Sequence, residues 1–281
     1  MAAIIGTSGY SYEDWRGSFY PADLGKEDFL RFYAMFFHFV ELDFSYYRMP
    51  DARGLIRMAE SVPSDFLFSL KVHRSLTHEG GADWPARAGE FLAAAGARPF
   101  RDKLAAVLLQ FPFGFRYTDP NRVYLGELTE ALGGLPLVLE FRNAEWQRQS
   151  VTEEAARRSL AIAAVDVPAL DGLPRPGGDG TTFGSPGFDA AASGGRSGLS
   201  YLRFHGRNAA AWWDGDAAGR YSWLYSDAEL EEWRPRVLQE EGRAKTLLVA
   251  FNNHQGGNAV RNARRFKELL DEGRPRLSLG E

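Results

Sequence analysis

Eight short apolar runs rich in β-branched residues, separated by stripes of helical period, constrain this chain more than any other feature. They are Ala3–Thr7, Phe39–Asp43, Phe66–Val72, Ala105–Phe111, Leu137–Phe141, Ile162–Val167, Tyr201–His205 and Leu247–Asn252, and their length and composition read as buried strands. Between them, Phe29, Phe32, Tyr33 and Phe36, and again Leu55, Met58, Ala59 and Val62, follow the spacing that makes one apolar helix face. Leu125, Leu128 and Leu132 mark another helix, Leu230, Trp233 and Val237 another, and Val260, Ala263, Phe266 and Leu270 a last one after Gly256 and Gly257. Ser150 with Glu153, and Ser226 with Glu229, read as capping boxes that open two helices. Strands alternating with helices predict right-handed βαβ units, and eight repeats close a barrel. The expected fold is therefore α/β, a single (β/α)8 TIM-type barrel over residues 1–281; barrels of about 250 residues fold as one domain.

One segment breaks the pattern. Pro168–Gly198 holds nine glycines with Pro168, Pro174, Pro176 and Pro186, and reads as a long loop, 168–198, in place of or beside the sixth helix. Elsewhere composition only excludes. The chain has no cysteine, so disulfides, thiolate-held metals and thiol nucleophiles are ruled out. A net charge of −4 disfavours non-specific nucleic-acid binding. No run approaches the ~18 apolar residues of a membrane span and the N-terminus lacks a basic leader, so the chain reads as cytoplasmic with no membrane partner.

In a strand, residues two apart share a face, and one face of a barrel strand points to the axis. Glu41 and Asp43 share a face late in strand two, as do Lys71 and His73, Glu140 and Arg142, and Arg203 and His205; Gln110, Asp166 and Asn252 join them at other strand ends. Charged residues there are costly in a dry core, so they line a pocket or pair with one another. Barrel enzymes keep their chemistry at the C-terminal strand ends. Glu41 and Glu140 are the candidate acid and base, and His205 and His73 the histidines that titrate near neutrality. Arg203, His205 and Arg207 after strand seven, with Asn252, Asn253, Gly256 and Gly257 before the last helix, form a candidate anion site of a kind common in barrels. Tyr47 and Trp146 follow closely on polar strand ends and are candidate ligand contacts. Glu41, Asp43, Glu140, Asp166 and His205 also resemble a metal-ligand set; no metal is assigned, because HExxH-type spacing is absent and Lys71, Arg142 and Arg203 already neutralise these carboxylates. No cofactor is named by any motif.

GTSGYSYEDWRGSFYP, FVELDFSYYRMP, FSLKV with Thr77-His78, KLAAVLLQFP, LEFRNAEW, YLRFHGR and VAFNNHQGGNAVRNA resemble, in the same order, the motifs of the YecE-like family, numbered 72 among domains of unknown function. The resemblance spans Gly6 to about Leu269 and implies a TIM-type barrel; it implies no particular activity. Arg48, which stands in the second motif, is also counted in the candidate binding set. The chain departs from the usual pattern at Tyr10 (usually Trp), Asp43 (usually Asn) and Asn143 (usually His), and its insertion at Gly172–Gly198 is longer than usual. Three readings stay open. One is an enzyme acting on a small polar, anionic substrate, another a nucleic-acid-processing or phosphodiester-binding barrel, and the third a non-catalytic ligand-binding module.

Overall fold

A computed structural model describes residues 2–175, 198–213 and 217–272. One parallel sheet carries the expected strands: β1 Ile4–Ser8, β2 Phe39–Leu42, β3 Leu67–Lys71, β4 Leu104–Phe111, β5 Leu137–Phe141, β6 Ala161–Ile162, β7 Ala164–Asp166, β8 Leu199–Phe204 and β9 Thr246–Phe251. Their order is β6-β5-β4-β3-β2-β1-β9-β8-β7. The count is nine rather than eight because the sixth run is split. Its first half pairs with β5, its second half with β8, and Ala163 N donates to Leu139 O at 2.8 Å between them. One extended stave thus shares its hydrogen bonds between two neighbours and draws the sheet into a nearly closed barrel.

Side chains fill the barrel from the base upward. Phe39, Ala106, Leu108, Val138, Ala161, Ala163, Tyr201, Leu248 and Ala250 form an apolar interior cluster, with small alanines set among Phe39 and Tyr201, whose rings meet edge-to-face at 6.2 Å. The other strand face packs on the helices through a much larger cluster that includes Val40, Phe68, Val107, Phe204 and Phe251. Burying each such large side chain is worth about 1.5–3 kcal/mol. Gly6 is dictated by the closeness of β1 to β2, since a Cβ there would stand 2.0 Å from the Phe39 carbonyl oxygen.

The helical stripes are borne out with shifted bounds. Ala52–Glu60, Asp119–Ala131 and Asn258–Glu272 are helices; the last buries its whole expected stripe, while the first two bury Leu55, Ala59 and Leu128, leave Met58 and Leu125 half-buried, and end before the buried Val62 and Leu132. The first stripe stops early, at Tyr33, leaving Phe36 partly exposed beyond the end. Leu230 and Val237 belong to two helices, Asp227–Glu231 and Arg234–Glu241, with Trp233 capping the second in the turn between them; Pro235, near the start of the second, has no N–H to continue a single ladder. Ser226 and Glu229 form the expected capping box. Ser150 and Glu153 do not, because the helix begins at Gln149, two residues earlier than a Ser150 cap requires, behind an Arg148 that makes no side-chain cap. Of the expected insertion, residues 176–197 lie outside the described residues. Its described start folds back: Leu170 and Leu173 pack with Val165, Val167 and Trp212. Among the described residues no helix is long and apolar enough to cross a membrane.

Candidate functional site

Above its apolar base the barrel interior turns polar, and the sequence parity explains how. Ser8, Glu41, Glu140, Arg203 and His205 point inward and are almost wholly excluded from solvent. Arg203 is the hub. It holds Glu41 with two nitrogens, Nη2 to Oε1 at 2.5 Å and Nε to Oε2 at 2.9 Å, and Glu140 with the third, Nη1 to Oε2 at 2.6 Å. Ser8 Oγ and Tyr201 OH donate to the two Glu41 oxygens at 2.5 and 2.7 Å, and Arg142 Nε donates to Glu140 at 2.6 Å. Removing one partner from such a buried charge set strands the others at a cost of about 3–5 kcal/mol.

This network decides proton positions. Burial alone lifts the Glu140 carboxyl, but Arg203 and Arg142, with His205, hold it well below the usual carboxylate range. Burial and then Arg142 push His205 well below the usual imidazole value, against the pull of Glu140. Its Nδ1 faces donors on Asn252 at 3.0 Å and Arg142 at 3.3 Å, and its Nε2 lies 3.2 Å from Glu140. Two donors at Nδ1 and the Glu140 acceptor at Nε2 favour a neutral ring with its hydrogen on Nε2, with Arg203 Nη1 also 3.3 Å from that nitrogen.

One turn higher, the mouth is cationic. Lys71 ends β3 with Nζ over the Tyr46 ring at 4.4 Å and no carboxylate or hydrogen-bond partner among the described residues. Burial, then Arg203, lowers its ammonium below the usual lysine value, opposed by Tyr221, Glu41 and Glu140. Arg142 and Arg220 flank Trp212, their guanidinium carbons 5.7 and 6.0 Å from its ring centre, and Arg220 Nε is buried without an acceptor among the described residues. Burial alone raises the neighbouring Tyr221 phenol, yet Arg142, Lys71, Arg203 and Arg220 bring it below its usual value. Asp43 is the carboxyl on the other side. Burial lifts it above the usual range although Lys71 opposes this, and Tyr12 OH donates to it at 3.3 Å. His254 stacks flat on Tyr12 at 4.5 Å. Burial, then Lys71 and Arg142, takes His78 down to about 4.

The structure brings together Glu41, Glu140, His205, Arg142, Arg203 and Asn252, with Asp43 and Lys71 above them. It separates the rest of the predicted set. Arg203 is consumed by two glutamates and does not stand free to grip an anion. Asp166 points away from the axis, where Tyr225 OH (2.6 Å), Trp233 Nε1 (2.7 Å) and Arg207 Nη2 (2.7 Å) saturate it, and Arg207 continues to Glu232 at 2.8 Å. Gly256 N, expected to meet a substrate anion, donates to Asp14 at 2.7 Å; Gly257, at φ +79°, lies so close to Ser18 that a Cβ would stand 2.8 Å from its Oγ. Asn253 is buried and donates to Trp223 O and Asn262 at 2.8 Å each. Trp146 is stacked on Phe141 at 4.4 Å and donates to Phe115 O, so it braces a loop. Gln110 is buried and donates to Phe111 O. His73 leaves the strand face and meets Ser75 at 2.8 Å. Tyr47, 65% exposed, stands open at the mouth. Arg48 lines a side groove of about 780 Å³ that shares Tyr12 and Asp43 with the mouth.

Sequence reasoning missed Arg220 as a mouth residue; no spacing marks it. Tyr201 was legible, two residues before Arg203 on the same strand face. Among the described residues no group of three or more His, Asp or Glu is disposed to hold a metal: Glu41 and Glu140 are engaged by arginines, and Asp166 faces the helices.

Comparison with known proteins agrees with this architecture. The chain is 30% identical to the UPF0759 protein YunF of Bacillus subtilis (strain 168), over 95% of its own length and 94% of that protein's. It superposes on the crystal structure of a DUF72 family protein from Thermotoga maritima with a TM-score of 0.82 at 33% identity, covering 96% of this chain and 100% of that one. A DUF72 family protein from Enterococcus faecalis gives 0.79 at 25% identity, over 99% of each chain. Residues 4–279 match the family described as "Protein of unknown function DUF72", and the chain belongs to that family.

Proposed function

We propose that this barrel is an enzyme acting on a small anionic substrate at its C-terminal mouth, with the anion clamped between Arg142 and Arg220 beside Trp212. The observation that carries this reading is the pair of guanidinium groups on one indole, one of them with a buried Nε that lacks an acceptor among the described residues. A buried, unsatisfied donor on a cation is costly, and a carboxylate or phosphate oxygen supplies what it lacks. Asp43 and Tyr221 supply the proton transfer. Their environments move a carboxyl upward and a phenol downward, toward the neutral range where acid–base catalysis works best. Glu41, Glu140 and His205, expected to move protons, act instead as positioning residues: their buried contacts fix Arg203 and the Arg142 side chain.

Thermal unfolding in the presence of inorganic phosphate, pyruvate, glyceraldehyde 3-phosphate and glucose tests the reading. A ligand at 100 times its Kd adds about 2.7 kcal/mol. At least one anion raises the Tm of the wild type, glucose does not, and Arg220→Gln loses the anion effect while remaining folded. Equal stabilisation of Arg220→Gln, or none of the wild type by any anion, overturns it.

A further inference from the structure

We infer that Lys71 is a nucleophile, and that the substrate is an anionic aldehyde or ketone whose carbonyl carbon Lys71 Nζ attacks to form an imine. This rests on the preceding reading for the anion clamp, and adds the identity of the reacting group. Lysines in charge networks have a carboxylate to hold them. Lys71 has none among the described residues; its ammonium rides on the face of Tyr46 at 4.4 Å at the end of β3, where barrels present reacting groups. Arg203, the hub beneath it, is also the charge that acts most on it, and Glu41 and Glu140, the carboxylates below Lys71, are already bound by that arginine. A desolvated lysine beside a second cation is the setting in which an amine keeps its lone pair at neutral pH.

In the step itself, the lone pair of neutral Nζ forms a bond to the carbonyl carbon and the C=O π pair moves to oxygen. Nζ then gives up one proton and the oxygen takes up one. A further proton converts the hydroxyl to water, which departs as nitrogen shares its pair to give a protonated imine. The balance is amine plus carbonyl plus one proton, giving iminium and water, with no oxidant or reductant. Asp43, whose carboxyl is held above its usual range by burial, is the nearby acid for the departing hydroxyl.

The test is reductive trapping on the intact wild type. The protein is incubated with pyruvate, glyoxylate or glyceraldehyde 3-phosphate, treated with borohydride, digested and mapped by mass spectrometry. Neutral glyceraldehyde serves as the uncharged control, and the exposed Lys26 and Lys267 as internal references. The expected result is an adduct on the Lys71 peptide about tenfold or more above those references, because the clamped carbonyl is held beside an amine that burial and Arg203 keep partly deprotonated, and slower trapping when phosphate is added. Glyceraldehyde labels Lys71 less than its phosphate does. Labelling of Lys71 no greater than that of Lys26 with all three anionic carbonyls, in a protein still stabilised by phosphate, overturns the imine and leaves the clamp standing. Strong labelling of Lys71 without any effect of phosphate keeps the nucleophile and overturns the clamp. Because the readout is made on the wild type, it does not depend on any variant folding.

Discussion

Arg203 and Glu41 meet through two parallel hydrogen bonds, Nη2 to Oε1 at 2.5 Å and Nε to Oε2 at 2.9 Å, inside a barrel that excludes both from solvent. A fork of this kind needs a planar guanidinium. Arg203→Met and Arg203→Lys are both expected to destabilise the protein, by about 3–5 kcal/mol for the former, which at roughly 2–4 °C per kcal/mol lowers Tm by about 6–20 °C. Urea unfolding of the two variants checks it; a loss below about 1 kcal/mol for Arg203→Met would mean that Glu41 and Glu140 find other partners.

Stability should fall as pH drops from 7 towards 5. His205 is held well below the usual imidazole value, so the unfolded chain binds a proton that the folded chain refuses. The stabilisation is therefore complete above the unfolded value of about 6.5 and is lost below it, at up to about 1.4 kcal/mol per pH unit for each such histidine. His78, lowered to about 4, acts with the same sign. His205→Gln flattens the slope of unfolding free energy against pH between 5 and 6.5. An unchanged slope means the ring is not held neutral.

Glu140 acts at lower pH. Its carboxyl is held well below the usual range, so its contribution is present above the unfolded value of about 4.3 and disappears as pH falls through the folded value. Acid titration of Glu140→Gln, followed by circular dichroism, should show lower stability at pH 7 and a shallower decline below pH 4. A decline as steep as the wild type's would place the acid-sensitive group elsewhere.

Lys71→Met is expected to leave the unliganded protein as stable or more so, by on the order of 1 kcal/mol, because it removes a desolvated charge that no carboxylate among the described residues contacts directly. Calorimetric melting of the two proteins without ligand decides this. A marked drop in Tm would reveal a structural role for the ammonium.

Tyr225→Phe tests the second polar cluster, which the strand-end reading assigned to the substrate. Tyr225 OH donates to Asp166 at 2.6 Å and accepts from Gly206 N at 2.8 Å. Its loss leaves a buried carboxylate oxygen and a buried N–H short of a partner, for about 1–3 kcal/mol each. Chemical denaturation should show that cost with no change in anion stabilisation, whereas a lost anion effect would return Asp166 to the binding site.

Period and parity made the barrel and its polar ceiling legible. Alternation of period-two and period-3.6 runs depends on local geometry, so the staves and helices can be read directly, and residues two apart, such as Glu140 with Arg142 and Arg203 with His205, must share a face. Parity does not decide which face of a short strand turns inward. Parity groups Asp166 with Glu41, but it lies on the outer face and meets Tyr225 and Trp233, which flank a short helix some sixty residues away. Nor does local pattern show which partner a charge finds. Arg203 and Glu41 are separated by 162 positions, and only closure of the ring brings them together, turning the expected anion grip into a structural hub. By itself the sequence determined the α/β barrel, its family and the ring of charge at the strand ends, because these follow from local periodicity and motif order. Only the tertiary structure decided that Glu41, Glu140 and Arg203 satisfy one another while Lys71, Arg220 and Tyr221 are left facing the mouth, because pairing among buried charges is set by through-space distance across the barrel.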